Sequence, residues 1–360
     1  MRRKLKEELR ARGAHFCHQV ADLFECEALY SNRRITVIRG RPKVSPEVLE
    51  EIANARLNPD GFQVTCEGTG DKYTLSISSR QVARGFPWIN VVLFVATIVS
   101  VLLTAALNSS GEELFRDWSL IRKGIPFTFW LIAILLLHEL GHYTFSRLRG
   151  VDVSLPYFIP APFFFILGTL GAVIKSRSPI RNRRDLLDVA AAGPIAGFVV
   201  AVGAILIGLA KSEVVPAASI SGYYLGDSLL FGLLSRLVIG PVPPGMDVVL
   251  HPIAFAGWVG LLVTMLNLLP VGSLDGGHIA YAMIGRQQKL IGYATVAFLF
   301  ALSLWWPGWL VWGAITIFMG PAHPPTLFDE IPIGRKRRII GFVCLIIFLL
   351  CFIPVPFTVI

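Results

Sequence analysis

The sequence predicts a polytopic α-helical membrane protein, with about seven transmembrane helices behind a small N-terminal cytoplasmic α+β module. Three observations carry that prediction. Apolar residues make up 54% of the 360-residue chain, with a mean hydropathy of +0.63. Uncharged stretches recur at close to the roughly 20-residue length a helix needs to cross a bilayer. Lysine and arginine concentrate in alternate loops, as they do when every second loop stays in the cytoplasm.

Residues 1–86 form the module. The basic start, Arg2, Arg3, Lys4 and Lys6, runs into further charged sequence instead of an apolar core, so no signal peptide is expected. Ile35 to Ile38 alternates like a strand, Ser45-Pro46-Glu47 opens a helix by capping logic and runs to about Leu57, and Phe62–Cys66 and Tyr73–Ile77 read as two further strands. The module is therefore β-α-β-β. It holds no histidine cluster, no phosphate-binding loop and no nucleophile beside a base, which leaves regulation, substrate presentation, stability or tethering as its roles. His15, Cys17, His18 and Cys26 could gather a metal, but no matching second half follows, and small polar and thiol groups on a helix is the preferred reading. The five cysteines show no paired spacing, and disulfides are not expected.

The first long uncharged run begins at Trp88. Candidate spans cover 88–107, 126–147, 187–210, 251–270, 290–305, 308–320 and 339–357. The fifth and sixth are short and flank Pro307-Gly308, which predicts a tight helical hairpin. With the N-terminus inside, the inner segments hold 28 of the 33 Lys and Arg, and the outer loops hold only Arg116, Arg122, Lys123, Lys211 and Arg236. The net charge of +9 is then topology anchoring beside anionic lipid, and no nucleic-acid partner is implied. Residues 87–330 form the core of the membrane domain, and 331–360 a basic loop with the last span. A bacterial cytoplasmic membrane is the expected location, a thylakoid or chloroplast membrane the alternative.

The second span carries His138-Glu139-Leu-Gly-His142, ionisable groups where lipid normally excludes them. Residues four apart share a helix face, so His138 and His142 can offer two imidazole nitrogens to one metal ion, leaving Glu139 free to work on water. Hydrolytic zinc takes three protein ligands and keeps one position for water. A third ligand is needed. Past the fourth span, Pro270 and Gly272 break the helix in Asn267-Leu-Leu-Pro270-Val-Gly-Ser-Leu274-Asp275-Gly276-Gly277-His278, and Asp275 stands among apolar residues. The second and fourth spans run in the same direction, and both motifs lie near the inner leaflet, with His142 roughly 9 Å from the edge. A joint site is geometrically open.

Prolines and glycines make 152–174 unsuited to a simple span, so it can lay a strand edge beside the site for an extended substrate or pack as a re-entrant hairpin. Leu225 to Ile239 is too short to cross, follows Asp227 as a candidate cap, and reads as an interfacial helix. Asn267 is a candidate donor to a substrate backbone or a bond between helices. His278 reads as a support for Asp275 or for the helix turn, outside the ligand set.

Through His138-Glu-Leu-Gly-His142 and Asn267…Pro270…Leu274-Asp275-Gly276 the chain resembles the site-2 proteases, intramembrane zinc metalloproteases. The resemblance implies His138, His142 and Asp275 as ligands of one Zn2+ and Glu139 as general base. Gly168-Thr-Leu-Gly171-Ala and Ala192-Gly193-Pro194-Ile-Ala-Gly197 also look like the family's sequence between those motifs, so the resemblance covers about 86–330. The front module and the tail His323-Pro324-Pro325…Arg335-Lys336-Arg337-Arg338 are similar to the cyanobacterial and chloroplast branch. No segment after the second span is long enough to insert a PDZ domain, so substrate gating by one is not expected. The expected partner is a single-span membrane protein whose helix is cut within the lipid bilayer, with Asn267, Gly168 and Thr169 as candidate substrate contacts. Oligomeric state is not legible. A membrane transporter would share the broken helices and buried charges, but no internal repeat is present and the acidic residues gather at one inner-leaflet position. A catalytically inactive metal-binding adaptor is opposed by the presence of every expected ligand.

Overall fold

The structure is a computed structural model that describes residues 11, 13–31, 35–60, 62–69, 72–79, 86–162, 167–177, 180–219, 223–326, 329 and 331–359. The basic start from Arg2 to Lys6 and the run Phe163 to Ile166 lie outside the described residues. The chain forms two units, Met1–Pro87 and Trp88–Ile360.

In the first unit a helix α1 (13–19) leads to β1 (Phe24–Ser31), β2 (Ile35–Pro42), α2 (Pro46–Leu57), β3 (Phe62–Thr69) and β4 (Lys72–Ser79). Leu49, Ala53 and Leu57 recur at helical spacing and are fully buried together with Ile38, Val64, Leu75 and Ile77 from the sheet. The sheet order is β1-β2-β4-β3, all antiparallel. The sequence reading lacks β1, because this edge strand buries only Phe24 at its start and carries a bulge between Cys26 and Ala28 that erases its alternation. Pro46 at the first turn starts α2, while the Ser45 side chain makes no cap bond. Among the described residues no group of three metal-ligating side chains gathers around Cys17 and Cys26. Cys26 is exposed on the edge strand and Cys17 is half-buried.

The second unit opens with α3 (Trp88–Ser110) and, after two 3-10 turns, α4 (Ile125–Leu148). A hairpin of β5 (Tyr157–Pro160) and β6 (Thr169–Val173) precedes α5 (Arg183–Leu209). Next come β7 (Glu213–Pro216), β8 (Tyr223–Leu225), α6 (Leu229–Val238), β9 (Met246–Val249), α7 (Pro252–Asn267), α8 (Asp275–Ile284), α9 (Gln288–Leu302), α10 (Gly308–Met319), α11 (Arg335–Cys351) and β10 (Phe357–Val359). Residues 331–360 belong to this same unit.

Among the described residues three stretches are long and apolar enough to cross a membrane: Trp88–Phe115, Trp118–Leu148 and Arg183–Leu209. α5 begins at Arg183, earlier than its apolar stretch, because the Asn182 side chain accepts from the amides of Arg184 and Asp185 and caps a charged first turn. α6 is capped by Ser228, which accepts from Phe231, and not by Asp227. Leu225 is not in that helix but in β8, paired with β10.

α4, α5 and α7 pack closely enough that side chains are excluded where they cross. A Cβ on Gly141 of α4 would stand 2.6 Å from the Ala192 carbonyl of α5. One on Gly257 of α7 would stand 2.8 Å from the Ala201 carbonyl. Small residues at such crossings let backbones approach and replace the hydrophobic drive that lipid cannot supply. The core centres on α5 and α7, with Trp258, Val259, Leu261, Met265, Leu187 and Ile205 fully buried.

Candidate metal centre

α4 carries His138, Glu139 and His142 into this interior, and His138 and Glu139 are buried. The two imidazoles meet edge to face, one turn apart on a single helix face, with their Nε2 atoms 3.1 Å apart. Asp275 meets them from the first turn of α8, its Oδ2 lying 3.3 Å from each Nε2. It gets there because the chain after α7 turns sharply at Gly272, whose φ of +52° is left-handed. Gly276 then packs on the Leu268 carbonyl where any side chain would collide.

The three atoms form a nearly equilateral triangle with edges of 3.1–3.3 Å. A tetrahedral zinc with bonds of about 2.0–2.1 Å requires ligand atoms about 3.3–3.4 Å apart. The donor set therefore fits zinc, and His138, His142 and Asp275 are the one such group among the described residues. Imidazole orientation fits as well. His142 Nδ1 donates to the Val189 carbonyl of α5 at 2.8 Å, which leaves Nε2 bare and ready to ligate. Asn267, the last residue of α7, sets its Nδ2 3.3 Å from His138 Nε2.

Glu139 has a different environment. It has no hydrogen-bond or ion-pair partner among the described residues, although it is only 8% exposed. It borders a cavity of about 470 Å³ that also reaches His138, His142, Asn267 and Asp275. A buried carboxylate without a partner carries a desolvation cost that persists only where water or a ligand meets it.

Three features have roles that the motifs do not reveal. Gly193 and Gly197 of α5 face the histidines: a Cβ on Gly193 would overlap the His142 ring, and one on Gly197 would stand 3.2 Å from the His138 Cβ. Their four-residue spacing matches that of the histidines and was the available signal. Asp188, beside Val189, is buried and held by Arg149 at 2.5 Å and Arg337 at 2.8 Å, tying α4, α5 and α11 together next to the carbonyl that orients His142. Gln288 is fully buried and bonds Pro270, Pro321 and His323.

The structure does not bring Gly168 and Thr169 to the centre. The Gly168 carbonyl accepts from Ser100 of α3 at 2.5 Å. Thr169 is buried and its hydroxyl donates to Ile159 within the hairpin. Their bonds hold the hairpin in shape and against α3; its cavity-lining residues are Ala172, Val173 and Ile174.

Residues 126–303, from α4 through α9, match the model of peptidase family M50. Those residues form a peptidase family M50 domain. The M50 match takes in His138, Glu139, His142, Asn267 and Asp275. The chain is 33% identical over 242 residues, 65% of its length and 44% of the relative's, to the probable zinc metalloprotease EGY1, chloroplastic, of Arabidopsis thaliana. It is 32% identical over 264 residues, 70% of its length and 46% of the relative's, to EGY2 of the same plant. EGY2 of Oryza sativa subsp. indica is 30% identical over 342 residues, 89% of this chain and 61% of the relative. The chain thus spans about half the length of the curated Arabidopsis relatives. No solved structure matches it.

Proposed function

We propose that this chain is an intramembrane zinc-dependent endopeptidase that hydrolyses a peptide bond in or near the transmembrane segment of a single-span membrane protein. The observation that carries the reading is the triangle of His138, His142 and Asp275 beside Glu139, a buried carboxylate left unpaired at a cavity. His138, His142 and Asp275 are the zinc ligands. Zinc, when bound, supplies Lewis acidity that makes water nucleophilic near neutral pH. Glu139 takes the proton of the attacking water and returns it to the leaving amine. Val189 holds the His142 ring so that the ligand triangle survives turnover. Asn267 donates to the substrate backbone beside the site.

A transmembrane substrate has its amides bonded within its own helix, so its scissile segment unwinds before attack. The free edge of the β5–β6 hairpin offers backbone partners to the unwound stretch, and Leu170 and Val173 on β6 are exposed beside it. Seven spans with a cytoplasmic N-terminus, in a bacterial cytoplasmic membrane or its thylakoid counterpart, open the cavity to the cytoplasmic side, from which water enters. In this arrangement 1–86 is a cytoplasmic module, 87–330 the protease core and 331–360 a basic loop with the last span.

The test is Glu139→Ala. The variant should retain about one zinc per chain and lose cleavage of a model single-span substrate by about 10²–10⁴-fold, the usual contribution of a general base. In membranes of cells carrying it, a single-span protein should accumulate. Cleavage at the wild-type rate removes Glu139 as the base.

A further inference from the structure

His278 sits one turn after Asp275 on α8 and borders the same cavity as Glu139 and Asn267, yet the chemistry above gives it nothing to do. Its two ring nitrogens differ. Nδ1 lies 2.6 Å from Nε2 of His323. Nε2 has no partner among the described residues and is not sealed from the cavity.

His323 comes from the strap between α10 and α11, and the strap is bolted to the metal loop. Gln288 donates to the Pro270 and Pro321 carbonyls, each at 3.1 Å, and its Oε1 accepts from the His323 amide at 2.9 Å. Gly272 donates to the Pro321 carbonyl at 3.0 Å. The His323 ring stacks on Tyr281 at 4.5 Å, and the Tyr281 hydroxyl donates to Asp329 at 2.5 Å. The second imidazole is thus fixed in place and in plane.

The hydrogen-bond inventory decides which way the pair is polarised. Among the described residues His323 Nδ1 is buried and meets no acceptor in hydrogen-bond geometry, although the Pro324 backbone lies near the ring. A sealed N–H without an acceptor costs more than a bare ring nitrogen, and orphaned donors are the rarer kind. The His323 proton therefore resides on Nε2 and is donated to His278 Nδ1. His278 in turn carries its proton on Nε2, facing the cavity.

We infer that His278 is a further catalytic residue, whose Nε2–H donates a hydrogen bond to the carbonyl oxygen of the scissile peptide as that oxygen gains negative charge, and that His323 is the positioning residue that keeps the proton on Nε2. The inference rests on the proteolytic reading above. A donor aimed at developing charge in a site with few other donors is the arrangement that selectively stabilises a transition state. Neither histidine is a metal ligand, so both can be changed without emptying the site.

The experiment uses the full-length purified chain and a model single-span substrate. His278→Phe should retain about one zinc per chain and lower kcat by about 10²-fold, the effect of losing one oxyanion donor, with KM changed by less than about 3-fold. His278→Gln places an amide donor at similar reach and should recover at least about 10-fold of that loss. His323→Phe should cost about 10-fold in kcat, and His323→Gln, which keeps a donor, should restore it. In Co2+-loaded protein, His278→Phe should leave the visible ligand-field spectrum unchanged and weaken acetohydroxamate binding by about 10-fold. Wild-type kcat in His278→Phe, loss of metal from it, or a Gln variant no better than Phe overturns the inference. Should Glu139→Ala also cleave at the wild-type rate, the proteolytic reading itself falls, a result the His278 variants do not produce.

Discussion

At the scale of single residues, the centre depends as much on absent side chains as on those present. Gly193 is the sharpest case, because its missing Cβ is the space the His142 ring occupies. Gly193→Ala raises intrinsic helix propensity by about 0.8–1.0 kcal/mol, so local helix energetics alone favour the variant. The ring has no room to retreat, since Val189 accepts from its Nδ1 and Asp275 lies on its other side. The expected result is a 10–100-fold loss of zinc affinity, of the size seen when a ligand's orienting partner is lost, in a chain that still folds. Competition against a chromogenic chelator measures it, and unchanged zinc retention would show that the ring relocates freely. The same logic separates Asp275 from Glu139. Asp275→Asn removes the charge of a proposed ligand and should release metal, whereas a change at Glu139 leaves the triangle intact.

At the scale of elements, the proposed ligands ride on α4 and α8 while α5 braces them from behind. Asp188 on α5 takes Arg149 from the end of α4 and Arg337 from the start of α11, and the next residue supplies the carbonyl that orients His142. Asp188→Asn leaves two guanidinium groups facing a neutral amide. Both arginines keep some contact with water, so the loss belongs at the lower end of the range for a broken buried pair, about 3 kcal/mol. Thermal unfolding in detergent with and without excess zinc measures it, and a shift within error would mean the arginines find other partners. The elements legible in the sequence were those with strong periodicity or a hard break: α4 with its two histidines, the turn at Pro270–Gly272, and the α9–α10 hairpin at Pro307. What the sequence hid has physical reasons. β1 is an edge strand with almost nothing to bury, so alternation had no cause. The start of α5 is charged because Asn182 caps it in a polar loop. The β7–β9 and β8–β10 pairings join segments 30 or more residues apart through strands of three or four residues, too short for a pattern. Gly168 and Thr169 sat in a motif-like run whose bonds turned out to be internal to the hairpin and to α3.

For the whole molecule, the open question is how chains of unequal helix length fill one bilayer. α3, α4 and α5 are long enough to cross, whereas α9 has 15 residues and α10 has 12. At 1.5 Å per residue these two reach only about 23 and 18 Å, short of a hydrocarbon core of about 30 Å. Lysine and arginine do not settle the matter, because Arg286 and Arg335 fall on the same side whether the α9–α10 pair crosses twice or dips in and returns. The turn residues do. Leu304 is 83% exposed and Trp305 68% exposed, so a label can reach them from whichever face they meet. The proposed seven spans with a cytoplasmic N-terminus require the turn at the outer face, with the bilayer thinned or the helices extended by the Ser303–Trp306 turn. The expected outcome is that Leu304→Cys, in a chain with its five native cysteines replaced, reacts with a membrane-impermeant maleimide from outside as readily as Lys211→Cys does, while Arg286→Cys reacts only after the membrane is opened. Labelling of Leu304→Cys that appears only once the membrane is opened makes α9–α10 a re-entrant pair. The chain would then have five spans, with the metal centre still at the inner leaflet, because the parity of α4 and α7 does not depend on the hairpin.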